Sequence, residues 1–258
     1  MIAEEIINKC EKALEEYLSS NLSIRELSIK YKINRGLFSG YALGKGIDIY
    51  NRKSKCNDRI FDIIDTEEKA YWLGFLYADG NINKYNTSYS IELALKEDDL
   101  KHIEKFKTFM CSDNKISYRE KQKAYRISIG SRRIYERLTE LGCMPNKSLI
   151  LKFPTEEQVP KSLLRHFIRG YFDGDGCLSL KHNITSTVPC VSILGTENFL
   201  SGIQKLYNGR LSKRDNENIY TLRFRKEEGN KFLRDIYTDS HIYLERKYDK
   251  FIAVSLSN

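Results

Sequence analysis

The sequence is short of the residues that would send it to several other classes. Only four prolines occur in 258 residues, and no stretch is of low complexity, so collagen-like and disordered chains do not fit. None of the six cysteines (Cys10, Cys56, Cys111, Cys143, Cys177, Cys190) forms a Cys-x-x-Cys pair, which excludes zinc-ribbon and dithiol redox motifs. The four histidines, His102, His166, His182 and His241, do not cluster with them. Free thiols in a reducing compartment are the simplest account. The first residues, Met1-Ile2-Ala3-Glu4-Glu5, are acidic and lack a signal-peptide profile. No apolar run approaches membrane-spanning length, so neither a secreted nor a membrane protein is expected.

What is present points to a folded, basic protein. Hydrophobic residues make up 41% and aromatics 12%, enough for a real core in one or two domains. The formal net charge is +8 with a pI near 9.0. That balance favours a polyanionic partner, most often nucleic acid.

The chain begins with helical signals. Residues 1 to about 19 carry an irregular apolar stripe of Ile2, Ile6, Ala13, Leu14 and Leu18. Ser23 with Glu26 three residues on forms a capping box, predicting a helix over Ile24–Tyr31. A turn at Lys32-Ile33 precedes a second helix capped by Asn34 and ended by Gly44 and Gly46. Leu27, Tyr31, Ile33, Leu37 and Tyr41 are the expected small core. The run from Leu22 to Gly36 resembles the helix–turn–helix of resolvase-type DNA-binding domains. That resemblance implies that Arg35 and Ser39 face base edges in a major groove. Nine Lys/Arg against three Asp/Glu between Arg25 and Arg59 agree with it. Residues 47–66 read as a basic linker, with Arg52 and Lys53 at its centre, able to lie along a phosphate backbone.

Two echoing stretches follow. Ala70-Tyr71-Trp72-Leu73-Gly74-Phe75-Leu76-Tyr77-Ala78-Asp79-Gly80 returns as His166-Phe167-Ile168-Arg169-Gly170-Tyr171-Phe172-Asp173-Gly174-Asp175-Gly176. Asp79 and Asp175 are 96 residues apart. Ile116 and Leu211, Tyr125 and Tyr220, Ile127 and Leu222, and Leu138 and Leu233 are each separated by 95. A two-copy repeat is implied, with units at 67–160 and 161–258. In the first, helices at 67–78, 99–111 and 131–141 and strands at 89–96, 115–120 and 124–129 are predicted from periodicity. The second has strands at 177–181, 190–194, 210–214 and 219–225 between helices at 161–172, 196–206 and 227–237. Two αββαββα-like units packed about a pseudo-two-fold axis are expected.

The motifs carry chemistry as well as packing. Gly74 and Ala78, like Gly170 and Gly174, lie four apart and share a helix face. Two such faces can meet almost backbone to backbone. Asp79 and Asp175 would then approach each other at helix C-termini, where negative charge is unfavourable. A divalent cation resolves that conflict, and oxygen donors with few protein ligands suit Mg²⁺. Such an arrangement cleaves phosphodiesters.

At these residues the chain resembles the single-chain LAGLIDADG homing endonucleases, with Trp72–Gly80 and Ile168–Gly176 as the two motifs and residues 67–258 as its extent. The resemblance implies an α+β fold of two repeats whose antiparallel sheets form a DNA-binding saddle, here with a small all-α domain over residues 1–46. It implies Mg²⁺-dependent double-strand cleavage that leaves 3′ overhangs, with Mn²⁺ able to substitute. The expected substrate is double-stranded DNA with a long, near-asymmetric target, bound by a monomer in the cytoplasm of a bacterium, with the gene in a bacterium or phage, or in an organelle. Asp79 and Asp175 match the family's metal-binding acids, and the carbonyls of Ala78 and Gly174 match its secondary ligands. Tyr77 departs from the motif where the second copy has Asp173. The family's basic residue near each acid maps to Lys147 and Lys247, with Lys152 and Lys250 as rivals. A non-cleaving DNA-binding regulator, and an RNA maturase with RNA as its partner, are the alternatives on the same fold.

Strand alternation proposes the DNA surface. Thr221, Arg223 and Arg225 oppose Tyr220, Leu222 and Phe224; Arg126 and Ser128 oppose Tyr125, Ile127 and Ile129. Lys115, Ser117 and Arg119 share a face, as do Arg210, Ser212 and Arg214. Seven Lys/Arg against one acid between residues 114 and 133 favour that reading. Glu92 and Ser90 are weaker candidates for base contacts.

Overall fold

The computed structural model describes residues 2–19, 22, 24–47, 56–145, 147–182, 187–214 and 219–256. It divides into two compact units, residues 1–54 and 55–258. Arg52, Lys53 and the capping residue Ser23 lie outside the described residues.

The first unit is three helices, α1 (Ile2–Ser19), α2 (Ile24–Tyr31) and α3 (Arg35–Gly44). Asn34 caps α3, its side chain accepting from the N–H groups of Gly36 at 2.8 Å and Leu37 at 3.3 Å. The cap sets the phase of the helix. Phe38 and Ala42 turn inward to meet Cys10, Ala13, Leu14, Tyr17, Leu27 and Ile33. Leu37, expected in this core, is 56% exposed instead, and Leu18 also faces out. Phe38 and Ala42, four apart on one helix face, fill the core that Leu37 was expected to fill, and Tyr41 packs partly buried against it. Arg35 is exposed and Ser39 half-buried.

The second unit repeats one plan twice. The first copy runs α4 (Glu67–Ala78), β1 (Gly80–Tyr85), β2 (Ser88–Lys96), α5 (Leu100–Phe109), β3 (Ser117–Arg119), β4 (Ala124–Ile129) and α6 (Arg132–Glu140). The second runs α7 (Leu164–Asp175), β5 (Gly176–His182), β6 (Thr187–Gly195), α8 (Glu197–Leu206), β7 (Arg210–Lys213), β8 (Tyr220–Phe224) and α9 (Lys226–Tyr237). A further helix, α10 (Glu245–Leu256), follows. Both sheets are antiparallel and share one strand order, β1-β2-β4-β3 and β5-β6-β8-β7. Thr66, Ser131 and Thr196 cap α4, α6 and α8 through their hydroxyls.

Period-two alternation buries one face of each sheet. Ile82, Ile91, Leu93, Leu95, Ile127 and Ile129 lie in one core with Leu178, Val191, Ile193, Leu222 and Phe224. Because directly paired residues share a face, the registers place Asn81, Glu92 and Ser128 in one outward row and Cys177, Ser192, Arg223 and Arg210 in another.

Several elements differ from the sequence expectation: α7, expected over 161–172, runs Leu164–Asp175, and β6, expected over 190–194, spans Thr187–Gly195. β1 was not expected: among Gly80-Asn81-Ile82-Asn83 only Ile82 brings strand-like burial, and β1 is an edge strand. β3 covers three residues rather than six. α10 was not expected, because one of its buried positions is Lys247, beside Phe251 and Val254. Asp99 stands at the N-cap of α5 without a side-chain cap bond; its carboxylate accepts from Arg246 Nε at 3.0 and 3.1 Å.

Candidate active site

The two motif helices meet at their glycines. A Cβ on Gly74 would sit 1.9 Å from the Phe167 carbonyl oxygen, and one on Gly170 would sit 1.9 Å from the Tyr71 carbonyl oxygen. Residues 71 and 167 are separated by the same 96 positions as residues 74 and 170. The contact is therefore reciprocal, backbone on backbone, as pseudo-two-fold symmetry demands. Around it, Tyr71, Phe75, Phe167 and Tyr171 are fully buried.

The seam delivers the two acids to one place. Asp79 is the residue that ends α4, and Asp175 closes α7. A Cβ on Gly174 would meet Ala78 Cβ at 2.3 Å and Asp79 Oδ2 at 3.2 Å. The Asp79 carboxylate thus lies over the residue that precedes Asp175. Burial of its surroundings and then the Asp175 charge push Asp79 up to about 6, against Lys247, Lys147 and Arg246. The Asp79 side chain is itself open to water; water weakens the first effect and leaves charge repulsion as the firmer cause. Asp175 is raised by burial, opposed by Tyr171, Lys147 and Lys247.

This donor set fits a hard cation. It offers two carboxylates that resist each other's ionisation, and the helix-end carbonyls of Ala78 and Gly174 stand beside them. Among the described residues no three His, Cys, Asp or Glu side chains gather to hold a metal. Few protein ligands, all oxygen, suit Mg²⁺, which keeps water and accepts phosphate oxygens.

Lys147 and Lys247 occupy matching places. Each Nζ donates to the carbonyl of the glycine after its acid, Gly80 and Gly176. The match ends there. Lys247 also donates to the carbonyls of Phe172 at 2.6 Å and Asp173 at 2.8 Å, with Gly174 O at 3.4 Å. An ammonium has three N–H groups, and the end of α7 uses them. Lys247 is 3% exposed, and burial lowers its pKa to about 8 although Asp173 opposes the change. Lys147 is half-buried, and among the described residues its ammonium bonds one carbonyl. Among the described residues Lys147 therefore has N–H groups left for a ligand, whereas those of Lys247 are taken up by carbonyls at the end of α7, where the ammonium offsets the helix dipole. Of the rivals, Lys250 donates to the Leu178 carbonyl at 3.0 Å, and Lys152 is exposed.

The inner motif position is structural in both copies. Asp173 is fully buried and accepts from Tyr237 Oη at 2.5 Å, Tyr71 Oη at 2.8 Å and the Leu244 N–H at 2.8 Å. Tyr77, in the same place in the first copy, donates its hydroxyl to the Leu141 carbonyl. Tyr237 and Leu141 both stand where their repeat's closing helix ends. Each inner residue ties that end to the seam, one as acceptor and one as donor. Sequence reasoning did not foresee this network, nor buried Arg169, which donates to Ile236 O, Ile242 O and Glu67 Oε1 and so joins α7 to α4.

Solved structures with this architecture are LAGLIDADG homing endonucleases. I-LtrWI bound to target DNA superposes with a TM-score of 0.51 at 12% identity, covering 78% of this chain and 91% of that one. I-AabMI bound to uncleaved DNA gives 0.53 at 14%, covering 75% and 90%. I-SmaMI bound to uncleavable DNA gives 0.52 at 11%, covering 74% and 91%. This chain has the LAGLIDADG homing-endonuclease fold. No protein-family model matches the sequence, and no curated protein matches it significantly.

On the LAGLIDADG sheets the expected DNA-facing residues have different surroundings. Ser117, Arg119, Arg210 and Arg223 are exposed or half-buried on the outward faces, with Ser212 half-buried beside them. Lys115 and Arg214 are exposed just outside β3 and β7, and Arg225 is exposed at the start of α9. Arg126 is paired with Glu92, which also accepts from Ser128 Oγ at 3.3 Å. Thr221, expected to face DNA, keeps the outward parity in register between Leu194 and Ser212 but is buried, at 5% exposed. Asn81, Asn83, Cys177, Ser179 and Lys181 also face outward. Sequence reasoning passed over them, although alternation about Ile82 and Leu178 marks them.

Proposed function

We propose that the chain is a site-specific, homing-type DNA endonuclease that hydrolyses phosphodiester bonds in both strands, using divalent metal ions held by one aspartate from each repeat. The observation that carries this reading is the reciprocal glycine seam, which brings Asp79 against the end of the opposite motif helix. Asp79 and Asp175 would hold Mg²⁺, or Mn²⁺ in its place, with the carbonyls of Ala78 and Gly174. When bound, the ion supplies Lewis-acid charge for water activation and for the leaving oxygen. Lys147 adds a fixed positive charge with N–H groups free to meet a phosphate oxygen. The outward sheet faces take the duplex, Arg119, Arg210 and Arg223 reaching base edges or phosphates. Likeness to proteins solved with DNA supports this assignment of the surface. In the three-helix unit, α2 and α3 act as a helix–turn–helix, with Arg35 and Ser39 toward the groove.

The test uses a DNA library carrying randomised duplex segments, incubated with the protein and Mg²⁺. The expected result is recovery of one cleaved sequence family with 3′ overhangs, absent when EDTA replaces the metal. A bound but uncut site in the presence of Mg²⁺ points instead to a regulator.

A further inference from the structure

The two sheets differ most in the row nearest the acids. Cys177 and Asn81 each lie two residues beyond their motif acid, 96 positions apart. From Cys177 the row continues through Ser192 to Arg223 and Arg210. From Asn81 it continues through Glu92 to Ser128, which is 95 positions before Arg223. One row ends in two cations. The other centres on a carboxylate.

Arg210 and Arg223 are directly opposed across β7 and β8, and both are exposed. Among the described residues neither pairs with an acid. Like charges facing each other across an antiparallel pair destabilise it, and an acceptor-rich ligand would offset them. In the other row Arg126 is spent on Glu92, which Ser128 also holds. Both bonds go to Oε1 of Glu92, so the carboxylate is held on the outward row and partly neutralised while its second oxygen keeps its acceptor capacity.

Resting on the proposed DNA reading, we infer that the two halves of the target are read in opposite senses beside the cleavage centre. Arg210 and Arg223 take guanine, through its O6 and N7 acceptors. Glu92, set by Arg126 and Ser128, takes a base that offers an exocyclic amine, cytosine first and adenine second, with Asn81 beside it. The major groove displays these donors and acceptors unambiguously, and arginine to guanine is the strongest of the pairings. A neutral or symmetric target centre does not match these rows.

The experiment is selection of bound duplexes from a randomised library by the full chain in EDTA, so that recognition is read without cleavage. Wild type is expected to enrich guanine on one side of the centre and cytosine or adenine on the other. Arg210→Ala and Arg223→Ala should each lower guanine preference at one position by about tenfold or more, leaving the other half unchanged. Glu92→Gln should relax only that other half. Thermal melting of each variant confirms that it is folded. Arginine variants that weaken all sequences alike, with a shallower salt dependence, would mark phosphate contacts and overturn the inference. Unchanged preferences in all three variants would overturn it too. A wild-type chain that enriches nothing would sink the DNA reading itself, a separate outcome.

Discussion

At the scale of residues, the site is governed by charges set against each other. Asp79 is raised from an ordinary 3.8 to about 6, so the folded, metal-free protein binds this proton more tightly than the unfolded chain. The sign follows: its ionisation opposes folding above pH 6, and the lost stability returns as pH falls through 6 toward 3.8. Asp79→Asn should therefore raise the melting temperature of the metal-free protein at pH 7.5 and do little at pH 4. With an allowance for water at this exposed side chain, about 1 kcal/mol is at stake, or roughly 2–4 °C for a unit this size. Mg²⁺ should raise the melting temperature of wild type and not of the variant.

The lysines separate by the same logic. Lys247→Met leaves the α7 carbonyls unpaired in a buried place and should cost about 1–3 kcal/mol, read by denaturant unfolding. Lys147→Met should leave the unfolding midpoint within about 0.5 kcal/mol of wild type yet slow cleavage and accumulate nicked plasmid. Equal destabilisation by both would show that the two lysines play one role.

At the scale of elements, the seam between α4 and α7 is the feature on which the fold turns. Gly74→Ala places a methyl against the Phe167 carbonyl, and Gly170→Ala places one against that of Tyr71. Backbone cannot yield as a side-chain end can, so each should destabilise by about 3 kcal/mol or more, measured by chemical denaturation. Gly40→Ala, in α3 with nothing within 4 Å of the added methyl, should stabilise by up to about 1 kcal/mol. The seam was legible because glycines inside a helix are costly and recurred in both copies. α2 and β4 were legible to the residue, one from its capping and the other from strict alternation. β1 was not, since asparagine and glycine hide a strand with one buried residue. α10 was not, since a lysine stands in its buried stripe. What Arg126 does could not be read either: its partner Glu92 lies on another strand, and only the register brings them together. Parity puts Thr221 on the outward face, yet parity does not give exposure.

At the scale of the whole molecule, two compact units share one basic chain. The three-helix unit has its own core, and the repeats have theirs. Removing residues 1–54 should leave the second unit folded, with its own melting transition, and lower affinity for the selected DNA by tenfold or more in a filter or gel-shift titration. Unchanged affinity would remove the helix–turn–helix assignment and leave the nuclease assignment standing. No helix among the described residues is long and apolar enough to cross a membrane, and the +8 charge predicts binding that weakens steeply with salt.

In the proposed function Asp79 and Asp175 form one metal-dependent phosphodiester-cleaving centre. The most direct measurement is cleavage of the library-selected site by wild type, Asp79→Asn and Asp175→Asn at matched occupancy, with and without Mg²⁺. Wild type should cut both strands with Mg²⁺ alone, and either variant should bind tightly without double-strand cutting. Full cutting by Asp175→Asn, or none by wild type on a saturated site, would contradict it.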